Sequence, residues 1–424
     1  MLRVLPIALF VALLASPADA APLLVPEDYE LQEAVDAAEP GDIVSVGPGT
    51  YDDRIRHNVP TGSGIVLSFQ SVLRLRPGVT VLARNGPEGT TLQGVAVSGF
   101  GEKTTVLGTH AGSDGAVLDG FTITAEAGDL RCFALYQSDG IEIRGCRMIS
   151  NNTEPGLIGV VEWSTDIELQ DCEITSSQGE IFLKHSSVAF TDSSILGTTL
   201  SSDSYRLVRL SGCSLRDFEG IAIHADNFLP GYFGEVMVED CTFRGGSIGV
   251  AVTFRTKPRI RGCMFDGQIL SAISLSQIND SVIEGNTVVN YHRVALEARR
   301  SRDIELRNNV FAGGRGTEPA IYERDSNLPN TVVASCNLYW DNEGGNVSEA
   351  SYYGATDLID VDPQFCDAAA GDYTLTEDSP AIAGTCGQIG AFGIGCGTVS
   401  LNATSWSRVK ALYRDAESPP PSGR

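Results

Sequence analysis

Basic residues are scarce in this chain. Thirty lysines and arginines stand against 54 aspartates and glutamates, for a formal net charge of −24 over 424 residues. A surface of that sign repels phosphate, which argues against nucleic acid and anionic membranes as partners. Long apolar runs are missing too. After the leading residues, no stretch is long and apolar enough to span a bilayer. The sequence contains no G-x-S-x-G elbow, phosphate-binding loop or H-E-x-x-H pair, the usual marks of a serine hydrolase, a nucleotide site and a zinc protease. C-x-x-C spacing with a nearby histidine is also lacking, so a zinc centre finds no support.

What the chain does have is a phrase that returns. Ile141-Glu-Ile-Arg-Gly-Cys-Arg-Met148 comes back as Ile167-Glu-Leu-Gln-Asp-Cys-Glu-Ile174, Val208-Arg-Leu-Ser-Gly-Cys-Ser-Leu215, Val236-Met-Val-Glu-Asp-Cys-Thr-Phe243 and Pro258-Arg-Ile-Arg-Gly-Cys-Met-Phe265. Later copies put asparagine in the cysteine slot, at Asn286, Asn309 and Asn337. The slot falls at Phe121, Cys146, Cys172, Ser193, Cys213, Cys241, Cys263, Asn286, Asn309 and Asn337, a mean step of about 24 residues. Each unit carries a second apolar run, such as Cys132-Phe-Ala-Leu135, Gly220-Ile-Ala-Ile223 or Ala272-Ile-Ser-Leu275, and both runs alternate with period two. Within the phrase the apolar step lengthens from two to three, which reverses the inside/outside parity unless the backbone bends. Gly145, Gly212, Gly262 and Gly285 occupy the bend, and Asp171 and Asp240 fill the same slot. A chain that turns the same way every unit makes a coil whose turns pair in parallel register. The expected fold is all-β, a single-stranded right-handed parallel β-helix of about ten or eleven coils.

Residues 1–20 read as a secretory signal, with Arg3, an apolar Leu5–Leu14 and an Ala18-Asp-Ala20 cleavage site. Residues 21–398 are then one β-helical domain and 399–424 a short helical or disordered tail, with a helix expected over Ser405–Tyr413 and disorder from Glu417. A capping helix is expected over 29–38, started by Asp28 and stopped by Pro40-Gly41. It would cover the open strand edges of the first coil. The turn-rich stretch Asp362–Cys396 is expected to close the other end.

Several motifs resemble the pectin-lyase-like superfamily of right-handed parallel β-helices, and in particular its secreted bacterial repeat proteins. They are Val25-Pro-Glu-Asp-Tyr-Glu-Leu-Gln-Glu-Ala-Val-Asp-Ala-Ala38, Gly41-Asp-Ile-Val-Ser-Val46, Gly49-Thr-Tyr51, Asp362-Pro-Gln-Phe365, Gly371-Asp-Tyr-Thr-Leu375, Asp378-Ser-Pro-Ala-Ile382 and Ile389-Gly-Ala-Phe-Gly393. The resemblance covers roughly residues 24–396. It implies an asparagine ladder at Asn286, Asn309 and Asn337, and directs attention to a groove along one face.

Nine of the ten cysteines divide in two, and Cys132 lies in a second apolar run. Cys146, Cys172, Cys213, Cys241 and Cys263 hold the inward slot and are expected as a packed column of small buried side chains, with a Cys241–Cys263 disulfide as the alternative. Cys336, Cys366, Cys386 and Cys396 lie in or near the closing stretch, where the expected staples are Cys386–Cys396 and Cys336–Cys366.

Outward positions at the end of the second run, Tyr136, Glu162, Lys184, His224, Thr253, Ser276 and Glu297, are expected to form a lane down the surface. Lys184, His224 and an arginine (Arg206 or Arg209) are the residue types a uronate lyase needs as cation and base. Glu162 and Asp226 are an acid/base pair of the kind glycosidases use. The same residues also suit a solvated face. Phe228, Tyr232 and Phe233 on the 225–235 insertion, with Tyr136, are the candidate sugar-stacking aromatics. Asp341, Glu343, Asp357, Asp360 and Asp362 offer hard oxygens to Ca²⁺, the one cofactor considered, although their loose spacing suits solvated loop charge. G-H-G and R-I-K are absent, and Arg255–Arg261 misses the spacing of the pectate-lyase arginine motif. The expectation is a secreted, extracellular or periplasmic, monomeric glycan-binding protein. A polysaccharide lyase or hydrolase and a purely structural surface protein are the alternatives.

Overall fold

The structure is a computed structural model that describes residues 22–60, 66–94, 103–109, 112–126, 130–152, 155–228, 233–324, 332–348 and 352–396. The expected signal (1–20) and tail (399–424) lie outside the described residues.

Each turn of the chain adds strands to three parallel ladders. The first has thirteen strands, from Leu23–Val25 to Val332–Ser335. The second follows the bend of the repeated phrase, as in Arg147–Ser150 and Thr242–Arg244. The third holds the second apolar run, as in Arg131–Tyr136, Ile221–Asp226 and Ile248–Thr253. Register brings like onto like: Ile143 pairs with Leu169, Val208 with Val236 and Ile260 with Ile283. The inward side chains are therefore continuous columns, and Phe243 and Phe265 stack with ring centroids 4.7 Å apart. The thirteen strands exceed the ten or eleven coils expected. Leu23–Val25, Ile43–Val46 and Thr80–Ala83 precede Phe121, and the slot holds Gly49 and Thr90 after the last two rather than cysteine or asparagine, so the repeated phrase does not reveal them.

The bend is a left-handed backbone step. φ is +58° at Gly145, +51° at Asp171, +52° at Asp240, +54° at Asn308 and +59° at Cys336. At Gly212 a Cβ would also lie 2.3 Å from Asp192 Oδ1, so both conformation and space favour glycine there. The residue after the bend turns inward, and its side chain does more than fill volume. Cys213 Sγ donates to Phe190 O at 3.3 Å, and Cys263 Sγ to Val238 O at 3.4 Å. Farther along, Asn286 Nδ2 donates to Ile260 O and Asn309 Nδ2 to Ile283 O, both at 2.9 Å. The slot thus needs a donor for a carbonyl of the preceding turn, which explains why cysteine and asparagine alternate in it. It also accepts: Cys172 N–H donates to Ser193 Oγ, and Cys263 N–H to Asn286 Oδ1. The asparagine ladder runs through Asn286, Asn309 and Asn337 and ends on Asp357, which accepts from Asn337 N–H at 2.8 Å. Burial pushes the thiols of Cys132 and Cys172 up to about 12, so both stay protonated.

The capping helix is Leu31–Ala37, shorter than expected at its start. Its N-cap is Glu30, which makes no side-chain cap bond, while Asp28 N–H donates back to Leu24 O. Leu31, Ala34 and Val35 are its buried face over the first turn.

The closing stretch corrects two expectations. It folds back along the outside of the second ladder, where Tyr373, Leu375, Ala381 and Ile389 pack on Met264, Val289, Val310, Ala312 and Leu338. Those outward residues are apolar and need this cover. The disulfides are Cys336–Cys386 and Cys366–Cys396, each with Cα atoms 5.7 Å apart, and not the expected Cys386–Cys396 and Cys336–Cys366. Cys336 holds the corner position, so its side chain leaves the wall where the returning stretch passes. There Asn308 Nδ2 donates to Cys386 O and Gln388 O. Cys366 and Cys396 belong to the strands on either side of Asp372–Thr376. The acidic residues considered for Ca²⁺ are dispersed. Asp341 and Glu343 pair with Arg315, and Asp360 accepts from the Asn346 amide. Among the described residues there is no group of three acidic, histidine or cysteine side chains that could hold a metal ion. No helix among them is long and apolar enough to cross a membrane.

Two predictions follow from the slot and the staples. Asn309→Ala strands the Asn286 N–H and Ile283 O inside the wall, and should cost about 2–4 kcal/mol in chemical denaturation, with Asn309→Cys recovering part of it. Thiol titration of the denatured, unreduced protein should count six free cysteines (Cys132, Cys146, Cys172, Cys213, Cys241 and Cys263), and peptide mapping should recover the 336–386 and 366–396 pairs.

Candidate functional site

The outer face of the third ladder resolves the expected single lane into two. Register runs Tyr136–Glu162–Lys184–Asp203–Asp226–Thr253–Ser276–Arg299 along one. The neighbouring lane runs Phe182–Ser201–His224–Ala251–Ser274–Glu297. His224 and Glu297 therefore belong beside, not within, the lane of Glu162 and Lys184. Lys184 and His224 stand two turns apart, about 10 Å along the stack. Arg206 and Arg209 are not in either lane: Arg209 lies on the first ladder beside Ala189 and Met237, and Arg206 precedes that strand. Asp203 takes the place they were expected to fill. The signal was masked because Ser194–Asp203 runs on as one ten-residue strand with no turn marker between the two ladders.

The lane is covered at one end. The antiparallel hairpin Ile55–Pro60 and Val66–Ser71 lies over its first turns. Phe69 packs against Tyr136 with centroids 5.1 Å apart, and Ala134 and Val160 complete the cluster. Tyr136 is only 3% exposed, so it is a packing residue and not a platform for a ligand.

Beyond the hairpin the lane opens, and its far edge is the second corner of the coil. There too the backbone steps into the left-handed region, at Gln137, Trp163, His185, Ser204 and Phe254. The inward residue that follows is often a serine, which repeats the chemistry of the first corner with a hydroxyl: Ser138 N–H donates to Ser164 Oγ, and Ser164 N–H to Ser186 Oγ. The same serines donate to the carbonyls of Glu162 and Lys184, which locks the lane residues to the wall. Glu162-Trp163-Ser164 and Lys184-His185-Ser186 are thus equivalent triplets, a sequence signal for Trp163 and His185 that the lane pattern alone does not show. Trp163 is 44% exposed and lies against His185, with ring centroids 4.0 Å apart and the planes tilted by 33°.

A second aromatic pair stands three turns on. Phe228 is 63% exposed and packs against Phe254 at 4.4 Å, and Phe233, at the return of the same loop, is 71% exposed. Tyr232 lies outside the described residues. Between the two aromatic pairs the lane offers Glu162, Lys184, Asp203 and Asp226, all half-buried. Glu180 hydrogen-bonds the Ser201 hydroxyl beside them, and Ser204 Oγ donates to Asp203 Oδ1 at 2.7 Å. Burial and the Lys184 ammonium hold His185 below its ordinary value of 6.5, against the opposing pull of Asp203 and Glu162. The imidazole is neutral at pH 7, so Trp163 rests on an uncharged ring.

One family model matches part of the coil. Residues 197–356 fit the model described as a right handed beta helix region. The chain is a right-handed parallel β-helix. No curated protein matches this β-helix in sequence. Among solved structures it is similar to the A-module of an Azotobacter vinelandii mannuronan C-5 epimerase, at 12% identity and TM-score 0.41, over 77% of this chain and 92% of that one. It is similar to a PL6 family alginate lyase, at 13% and 0.46, over 90% of this chain and 60% of the lyase. A third is tailspike protein 3 of bacteriophage CBA120, at 10% and 0.45, over 78% of this chain and 56% of the tailspike.

A histidine that resists protonation in the folded β-helix takes up its proton more readily when unfolded. Its contribution to stability is present above about pH 6.5 and is lost as the pH falls below that value. By NMR, His185 should titrate with a midpoint below 6.5. Lys184→Met should raise that midpoint and Asp203→Asn should lower it further.

Proposed function

We propose that this β-helix is a secreted polysaccharide-binding protein whose ligand lies along the third ladder, from Trp163 to Phe254. The observation that carries the reading is the two exposed rings on one corner, Trp163 against His185 and Phe228 against Phe254, in pairs three turns or about 14 Å apart with a polar lane between them. Sugar rings present apolar faces that stack on aromatics, and their hydroxyls bond to carboxylates and serines. Every lane side chain stands on a hydrogen-bonded strand, so the surface is organised before a ligand arrives. The Cys336–Cys386 and Cys366–Cys396 bridges and the expected leader favour an oxidising compartment.

Binding is favoured over catalysis because the groups proposed for a lyase do not converge: Lys184 and His224 face outward from different lanes on turns that are not adjacent. Asp203 and Asp226, neighbours in register, are the carboxylates on which a hydrolase reading would rest.

The test is a panel of soluble polysaccharides scored for binding and for new reducing ends or unsaturated uronides. Trp163→Ala and Phe228→Ala should each weaken binding several-fold, up to about tenfold, with the fold unchanged by circular dichroism. Binding that survives both substitutions would place the glycan elsewhere. Turnover abolished by Asp203→Asn or Asp226→Asn would convert the protein into a hydrolase.

A further inference from the structure

The charges of this face select the class of glycan, given the binding reading above. Glu162, Glu180, Asp203 and Asp226 project from four successive turns of the third ladder, and Lys184 is the single cation among them. The ion pairs of the described residues lie elsewhere. Arg144–Asp119, Arg261–Glu284 and Arg307–Glu284 run along the first ladder, and Arg293–Glu297 lies farther down the stack. Asp203 and Asp226 are direct neighbours in register, and like charges so placed repel. One oxygen of Asp226 is buried without a hydrogen-bond partner among the described residues, as is the hydroxyl of Thr253, its neighbour on the next turn. Lys184 adjoins Glu162 and Asp203 in register and Ser204 Oγ donates to Asp203, whereas the lane neighbours of Asp226 are Asp203 and Thr253 and include no cation. A polyuronate laid on this face would add more negative charge to the same strip. A polymer carrying protonated amines would reduce the repulsion between Asp203 and Asp226 and still present sugar faces to Trp163 and Phe228.

We propose that the third-ladder face binds a cationic, amino-sugar polysaccharide, with ammonium groups of the chain seated at Asp203 and Asp226. The lane repeats every ~4.8 Å, close to the rise of one sugar in an extended chain, so successive residues of the polymer meet successive turns.

The test uses the full-length secreted protein and four probes: partially N-deacetylated β-1,4-glucosamine polymer, its fully N-acetylated oligomers, dextran and polygalacturonate. Binding is measured at about 25 and about 300 mM salt, where screening separates charge from stacking. The amine polymer should bind best and weaken with salt. The Asp203→Asn/Asp226→Asn double variant should lose about tenfold or more in affinity, a change of ~1.4 kcal/mol. Lys184→Met should bind more tightly, a gain that misfolding cannot produce. Glu142→Gln with Glu168→Gln removes the same two charges from the first ladder and should leave binding unchanged.

Equal loss from both double variants would reduce the effect to bulk charge and overturn the proposal. Preference for dextran or the acetylated oligomers, abolished by Trp163→Ala, would overturn the charge assignment while leaving the glycan reading intact. Polygalacturonate binding that appears only with added Ca²⁺ would mean that the carboxylates hold a metal bridge, which also overturns it. Absence of binding to all four probes would count against the glycan reading itself.

Discussion

The structure depends on how a buried corner satisfies its own peptide groups. A chain that turns three times per coil exposes backbone N–H and C=O groups on the inside of each turn, where water does not reach. This protein answers at the first corner with cysteine and then asparagine, and at the second with serine. In each case one side chain donates to a carbonyl and accepts from the N–H of the equivalent residue one turn away. The bonds run along the stack, so each turn is completed by its neighbour. That is the nearest-neighbour logic of a solenoid. Within it, a thiol, an amide and a hydroxyl become interchangeable because each is a small group that can both give and receive.

This view also explains which parts of the fold were legible. The period, the parity reversal and the residues of the bend are local, and they carried the architecture without any tertiary information. The first three turns were invisible to the ruler because their corners use other residues. The disulfides were misassigned for a different reason. Sequence distance brought Cys386 and Cys396 together, whereas the stretch that carries them doubles back along the second ladder and delivers Cys386 to a corner fifty residues away. Where a non-repeating segment lies is decided by the apolar stripe it must cover, from Met264 to Leu338, and that stripe exists only once the turns have stacked.

The candidate site was legible in part for the same reason. Glu162 and Lys184 were correctly taken as lane neighbours because their turns have equal spacing. His224 was misplaced by two residues because the loop after Asp226 obscures where its strand ends, and a shift of two in a strand moves a side chain to the next lane on the same face. Trp163 and His185 escaped notice because they lie one residue past the lane, on a corner whose regularity depends on the serines behind it rather than on any apolar pattern.

A rigid wall permits a surface that would be costly elsewhere. In a flexible loop, Asp203 and Asp226 would move apart and be solvated separately. On adjacent hydrogen-bonded turns they are held in register whether or not a ligand is present. The corner ladders supply that rigidity from inside: Ser164 and Ser186 tie down the carbonyls of Glu162 and Lys184, the residues that face outward. Local repulsion is then tolerated because the columns beneath are uninterrupted, and such tolerated strain is characteristic of functional surfaces. The repeat that carries no chemistry of its own is therefore what holds Asp203 and Asp226 side by side between two aromatic pairs. The value of the site to a ligand is the part of that repulsion the ligand can remove.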